Sequence, residues 1–115
     1  MSLKIYHNPR CSKSRQTLAL IEAAGVEVET VLYIENPLSE GEIQNLIGKL
    51  GFSSARELMR KGEAIYKELN LKDEDDNAAL IAAMAAYPKL IERPIVVKGN
   101  KAILGRPPEN AKKFL

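Results

Sequence analysis

Leu3-Lys4-Ile5-Tyr6, then His7-Asn8-Pro9-Arg10-Cys11, and further on Val26-Glu27-Val28-Glu29-Thr30-Val31-Leu32: the order of these stretches decides the fold. The first four residues form a short alternating strand, halted by His7-Asn8-Pro9. A helix is predicted from about Ser12, with Leu18, Ile21 and Ala24 on one face. Gly25 closes it at the C′ position, where a left-handed backbone costs glycine little. Residues 26–32 alternate with period two and read as a second strand. Strand, helix and strand within about thirty residues make a βαβ unit, so the two strands should be parallel and the crossover right-handed.

Outward from that unit the chain turns helical. Ser39-Glu40-Gly41-Glu42 is a capping box, with Ile43, Leu46, Ile47 and Leu50 behind it on one stripe and Gly51 closing it. Ser54 and Glu57 repeat the signature, predicting a short helix that carries Arg60 to its C-terminal end before Gly62. Leu80, Ala83, Met84 and Tyr87 give another stripe, stopped by Pro88. The acidic run Asp73–Asp76 fits the N-terminus of that helix, where anionic residues are favourable, better than a metal site. Pro94-Ile95-Val96-Val97 and Lys101-Ala102-Ile103-Leu104 are then two strands joined by the two-residue turn Gly99-Asn100. Lys98 and Lys101 read as residues that keep this turn soluble. Pro107-Pro108 sets up a terminal helix, Glu109 to about Phe114.

The order β-α-β, helices, β-β, α describes a single α/β domain over residues 1–115, long enough to bury roughly 65% of its unfolded surface. Hydrophobic residues are 45% and charged residues 28% of the 115, as in an ordinary globular chain. A net charge of +2 and the absence of Trp argue against a nucleic-acid binder. One cysteine and one histidine make an internal disulfide, a multi-Cys zinc site or a His-rich metal site improbable. No N-terminal stretch reads as a signal peptide and no apolar run approaches the ~20 residues of a membrane span, so a cytoplasmic, soluble protein is expected.

Cys11 sits where the first strand turns into the first helix. Unpaired N–H groups and about half a positive charge favour a thiolate there, so its pKa should fall below the free value of ~8.5. His7, Arg10, Lys13 and Arg15 lie within a few residues. Ser14 stands where a C-x-x-C motif would carry its second cysteine, so any adduct on Cys11 must be resolved by an external thiol. A cysteine-phosphatase loop would need arginine at position 17, which is Thr17. The two-residue turn sets Lys98 opposite Lys101, Ile95 opposite Leu104 and Arg93 opposite Arg106. Like charges directly opposite destabilise a sheet, so the arginine pair either brackets an anion or splays into solvent at the sheet end. Arginine at both places suits a planar donor facing a tetrahedral oxyanion. Pro94 on its own favours a trans bond, because cis X–Pro bonds are only ~5–6% of the total.

The segment Tyr6-His7-Asn8-Pro9-Arg10-Cys11-Ser12-Lys13-Ser14-Arg15, with Thr17-Leu18 after it, resembles the active-site segment of the glutaredoxin-dependent arsenate reductase family. So do residues 32–37, Leu58-Met59-Arg60-Lys61, residues 91–97 and Gly105-Arg106-Pro107-Pro108. The resemblance implies a thioredoxin-like fold: a mixed four-stranded sheet with a helical insert between strands 2 and 3. In that fold strand 3 runs antiparallel to strand 1, which brings Arg93-Pro94 beside Cys11 and makes Pro94 the expected cis-proline. The resemblance further implies Cys11 as nucleophile, His7 and Ser14 as groups that help hold the thiolate, and Arg60, Arg93 and Arg106 around the oxyanion, with Asn8, Arg15 and Pro94 in support. The implied reaction is reduction of arsenate through a covalent Cys11–arsenate intermediate, with glutathione as co-substrate, glutaredoxin as partner and no bound cofactor or metal. A monomer with no nucleic-acid or membrane partner is expected. Relatives of this fold also include regulators that bind RNA polymerase and general glutathione-dependent thiol reductases, and these are the alternatives.

Overall fold

The computed structural model describes residues 3–115. The chain is built of two compact units, Met1–Asn36 with Arg93–Leu115, and Pro37–Glu92. The first unit holds the sheet. Strand β1 (Leu3–Tyr6) is followed by helix α1 (Ser12–Ala23) and strand β2 (Val28–Val31), and strands β3 (Ile95–Lys98) and β4 (Lys101–Leu104) return after the insert. The sheet order is β2-β1-β3-β4, with β1 parallel to β2 and antiparallel to β3, as a thioredoxin-like fold requires.

The hairpin register is the one dictated by its turn. Ile95 pairs with Leu104, Val96 with Ile103, Val97 with Ala102 and Lys98 with Lys101. Gly99 takes φ +61, the positive torsion that a tight hairpin turn needs. Pairing continues past the named strands, because Gly105 N–H donates to the Pro94 carbonyl at 2.9 Å. Both the Arg93–Pro94 and the Arg106–Pro107 bonds are cis. Lys98, Lys101 and Lys113 line an open groove of about 520 Å³ at the hairpin tip, at the far end of β3 from Pro94.

Leu3, Ile5, Ile21, Val96 and Ala111 form the core of this unit, with Leu18, Val26, Val28, Ile103 and Phe114 packed partly against it. Each fully buried Leu or Ile side chain contributes about 1.5–3 kcal/mol. The inner face of α1 differs from the expected one. Its buried residues are Ser14, Thr17 and Ile21, whereas Leu18 is half-buried and Ala24 is an exposed residue at the helix end. A helix whose first turn serves a polar site buries hydroxyls there, and an apolar stripe does not report them. Gly25 does adopt the left-handed backbone, φ +73, just past the helix. The C-terminal segment is a tight 3-10 helix, Pro108–Phe114, that packs on α1 and β4. Its Asn110 side chain donates to the Leu104 carbonyl at 3.2 Å and so covers part of the sheet's β4 edge.

The second unit is helical. Helix α2 (Glu40–Leu50) starts with the capping box: Ser39 Oγ accepts from Glu42 N–H at 3.2 Å and Glu42 Oε1 accepts from Ser39 N–H at 3.1 Å. A five-residue helix α3 (Ala64–Glu68), absent from the expected elements, precedes α4 (Asn77–Ala86), and α2 packs on α4. Asp76 caps α4 by accepting from Ala78 N–H, which accounts for the end of the acidic run. Tyr87, expected on the buried stripe, is exposed, because the helix ends before it. The helix expected to carry Arg60 is a single 3-10 turn, Ala55–Leu58. Arg60 lies beyond it in extended chain, where Met59 bridges to Ile91 and Arg60 N–H donates to the Leu90 carbonyl at 2.7 Å. Arg56 braces this unit, donating to Tyr66 Oη, the Leu71 carbonyl and the Glu74 carbonyl.

Candidate active site

Cys11 is the N-cap of α1, with extended torsions (φ −96, ψ 122), and is partly exposed. Pro9 and Asn8 stop β1 before it, and Cys11 N–H donates to the Asn8 carbonyl at 3.0 Å. No acidic residue occupies the first turn of α1, so nothing there opposes an anion at the N-cap. Partial burial pushes the Cys11 thiol up. The backbone N–H of Ser14, the Arg93 guanidinium and the backbone N–H of Lys13 together outweigh that, and hold the thiol below its ordinary value. A thiol lowered in this way holds a larger share of its reactive thiolate at a given pH than a free cysteine does.

The cation that lowers the Cys11 pKa is therefore Arg93, which is distant in sequence, and not one of the basic residues around Cys11. Arg10 N–H closes the loop onto Asn8 Oδ1 at 3.1 Å, and Arg15 Nη1 donates to the Pro9 carbonyl at 2.7 Å. Both serve the shape of the turn. His7 also differs from its expected place. It is buried, and its Nδ1 lies 2.6 Å from Ser14 Oγ, so it touches the serine and not the sulfur. Burial, with Arg15 nearby, pulls the imidazolium pKa down against a smaller opposing pull from Glu22, which favours a neutral ring at pH 7. Ser14 Oγ also accepts from Asn8 N–H at 3.1 Å. The serine hydroxyl thus ties His7 and the loop to α1, and its backbone N–H is what reaches Cys11.

Strand pairing brings the arginines in. Tyr6 pairs with Ile95, so Arg93-Pro94 lies beside the turn that follows β1. Arg106 crosses from the end of β4: its Nη1 donates to the Arg93 carbonyl at 3.2 Å and to Cys11 Sγ at 4.0 Å. The pair expected to face each other across the hairpin does so, with one guanidinium anchored on the other residue's backbone. Arg60 belongs to the helical unit. There its Nη1 donates to Glu92 Oε1 at 3.0 Å and its Nε lies 3.6 Å from Glu63 Oε1, so two carboxylates balance its charge. Among the described residues no three His, Cys, Asp or Glu side chains gather as metal ligands, and no helix is long and apolar enough to cross a membrane.

A testable consequence concerns reactivity. A thiol held below the ordinary value becomes thiolate as pH rises through its own lower pKa. The Cys11 alkylation rate should therefore climb with a midpoint under ~8.5. A midpoint at or above that value contradicts the activated thiol.

A thiol held toward its thiolate at a helix N-terminus, with the Arg93 and Arg106 guanidiniums beside it, has the chemistry of a nucleophile in a site suited to a tetrahedral oxyanion. The ArsC family profile matches residues 6–114, spanning the whole arrangement from Tyr6 to Phe114. The chain belongs to the ArsC family. An uncharacterized protein of Escherichia coli (strain K12), YfgD, is 58% identical over 108 residues, covering 93% of this chain and 91% of its own. The arsenate reductase of Haemophilus influenzae is 47% identical over 116 residues and covers 100% of both chains. Among solved ArsC-family structures, the arsenate reductase from Vibrio cholerae superposes with a TM-score of 0.97 at 51% identity, covering 100% of this chain and 98% of that one.

Proposed function

We propose that this chain reduces arsenate to arsenite by covalent catalysis at Cys11, with glutathione and glutaredoxin as the source of electrons. The observation that carries the reading is the Cys11 sulfur set between the α1 N-terminus and the Arg93 and Arg106 guanidiniums. In this reading the arginines bind the oxyanion and offset its charge. The Cys11 thiolate attacks arsenic and an arsenate oxygen leaves as water or hydroxide, forming a thiol–arsenate ester. Glutathione then adds its sulfur to arsenic with loss of a second oxygen as water. A glutaredoxin thiolate attacks the glutathione sulfur, giving a mixed disulfide, and the electron pair of the broken S–As bond takes arsenic from +5 to +3. Hydrolysis releases arsenite and returns the Cys11 thiol. Two thiols are oxidised for one two-electron reduction. Because the chain has one cysteine, both come from outside.

Arg60 joins Arg93 and Arg106 in this proposal through the family pattern Leu58-Met59-Arg60-Lys61, with Glu63 and Glu92 fixing its guanidinium. His7, Asn8 and Arg15 act by holding the turn, and Ser14 by its N–H. A steady-state assay with arsenate, glutathione, glutaredoxin and a recycling system tests the reading, and turnover is expected only when arsenate, glutathione and glutaredoxin are all present. Phosphate should inhibit competitively and weakly, since it shares arsenate's shape and charge and resists reduction. No turnover, or turnover indifferent to phosphate at any concentration, contradicts the proposal. The first outcome would favour a regulatory member of the family.

A further inference from the structure

We infer that Thr17 and Gly105 form a steric joint that sets the distance between Cys11 and its arginines, and so act as positioning residues for the oxyanion site. The inference rests on the function proposed above and adds two residues to it. Gly105 is buried and has an ordinary, non-positive φ, so no torsion demands glycine there. Space does. A Cβ at this position would lie 2.6 Å from Thr17 Oγ1, 2.7 Å from Pro94 Cγ and 2.9 Å from Thr17 Cγ2. None of these atoms is the free end of an exposed chain: Thr17 and Pro94 are both buried. The Thr17 hydroxyl spans the same gap, donating to the Lys13 carbonyl at 2.8 Å and leaning on the Gly105 carbonyl at 3.3 Å.

Three segments meet at this point, and each carries part of the site. Thr17 stands on α1, four residues after Lys13 in the turn whose Lys13 and Ser14 N–H groups face the sulfur. Pro94 directly follows Arg93, and Gly105 directly precedes Arg106. The Gly105–Pro94 backbone bond, 2.9 Å, ties the last two together as one rigid edge. Packed interiors do not absorb an added methyl by compression; they shift. A methyl at 105 must therefore move α1 away from the strand ends, and that motion separates Cys11 from Arg93 and Arg106. A residue needed only for stability would lower the unfolding temperature and leave the site chemistry of the folded protein alone.

The test uses Gly105→Ala, Thr17→Val and Thr17→Ser in the full chain, with inorganic phosphate binding by calorimetry and the pH profile of Cys11 alkylation as readouts beside thermal unfolding. Gly105→Ala is expected to unfold cooperatively, to bind phosphate at least tenfold more weakly than the parent, and to show an alkylation midpoint moved up toward the free-thiol value. Thr17→Val, which keeps the volume and loses the hydroxyl, should move both readouts the same way by less. Thr17→Ser should restore them. A folded Gly105→Ala with the parent's phosphate affinity and midpoint overturns the joint. Should Gly105→Ala fail to fold, a Thr17→Val protein unchanged in both readouts overturns it equally. A parent protein that binds no phosphate contradicts the oxyanion function instead, and the alkylation midpoints still decide the joint.

Discussion

Cys11→Ser is expected to abolish arsenate reduction without disturbing the fold: turnover should fall by on the order of 10³-fold or more, and phosphate should still bind. Cys11 is an N-cap that makes no side-chain cap bond of its own, and serine is among the preferred N-cap residues, so stability should hold or rise. The arginines and the Ser14 and Lys13 N–H groups remain to receive an anion. What is lost is the sulfur that, in the proposed reaction, forms the thiol–arsenate ester to which glutathione adds. A hydroxyl at this position stays protonated at neutral pH and gives no such intermediate. Thermal unfolding, phosphate calorimetry and the coupled assay on one preparation separate these effects. Retained turnover in Cys11→Ser removes the nucleophile from the account.

Arg93→Lys and Arg106→Lys come next in expected size, each lowering kcat/KM for arsenate by about 10²–10³-fold, the range seen when one donor to a developing anionic charge is removed. Lysine keeps the charge and loses the planar fork that meets two oxygens at once. The two variants should differ in one respect. Arg93 lowers the Cys11 pKa directly, so Arg93→Lys should also raise the alkylation midpoint. Arg106 donates to the Arg93 carbonyl, so its replacement loosens the neighbouring strand end as well as the anion. Neither position supports the core, and unfolding temperatures should stay near the parent's, with less gain on adding arsenate. Full activity in both variants would make them surface residues. Unfolding of either would make the pair structural.

The parts of this fold that could be read from sequence are those fixed locally. Gly99-Asn100 permits one tight turn, and a two-residue turn leaves one register, so the pairing down to Ile95–Leu104 followed from two residues. Ser39 and Glu42 satisfy each other's backbone N–H, so the start of α2 was equally plain. Cys11 at a strand-to-helix turn was visible for the same reason. Legibility ended where partners are distant or polar. The charged group that lowers the Cys11 pKa, beside the Ser14 N–H, is Arg93 just before β3, which only the resemblance brought near the thiol, whereas the sequence-adjacent Arg10 and Arg15 brace the loop. Ala24 shares the inner face of α1 by its spacing but is exposed because it caps the helix end, while Ser14 and Thr17 fill that face earlier and, as hydroxyls, leave no apolar stripe. The stretch around Arg60 carries capping residues but too few helical turns to sustain a helix, so its turn ended early in a bridge to Ile91. Gly105 stands in the resembling block Gly105–Pro108, but its close packing on Thr17 and Pro94 has no period to announce it.

In the proposed site Cys11 takes the oxyanion between the α1 N-terminus and the two arginines. The most direct test is an anomalous-scattering map at the arsenic edge from crystals soaked in arsenate. An arsenic peak is expected within bonding distance of Cys11 Sγ, with its oxygens on Arg93 and Arg106. An arsenic peak elsewhere, or none at Cys11 in crystals whose site is open to solvent, would contradict it.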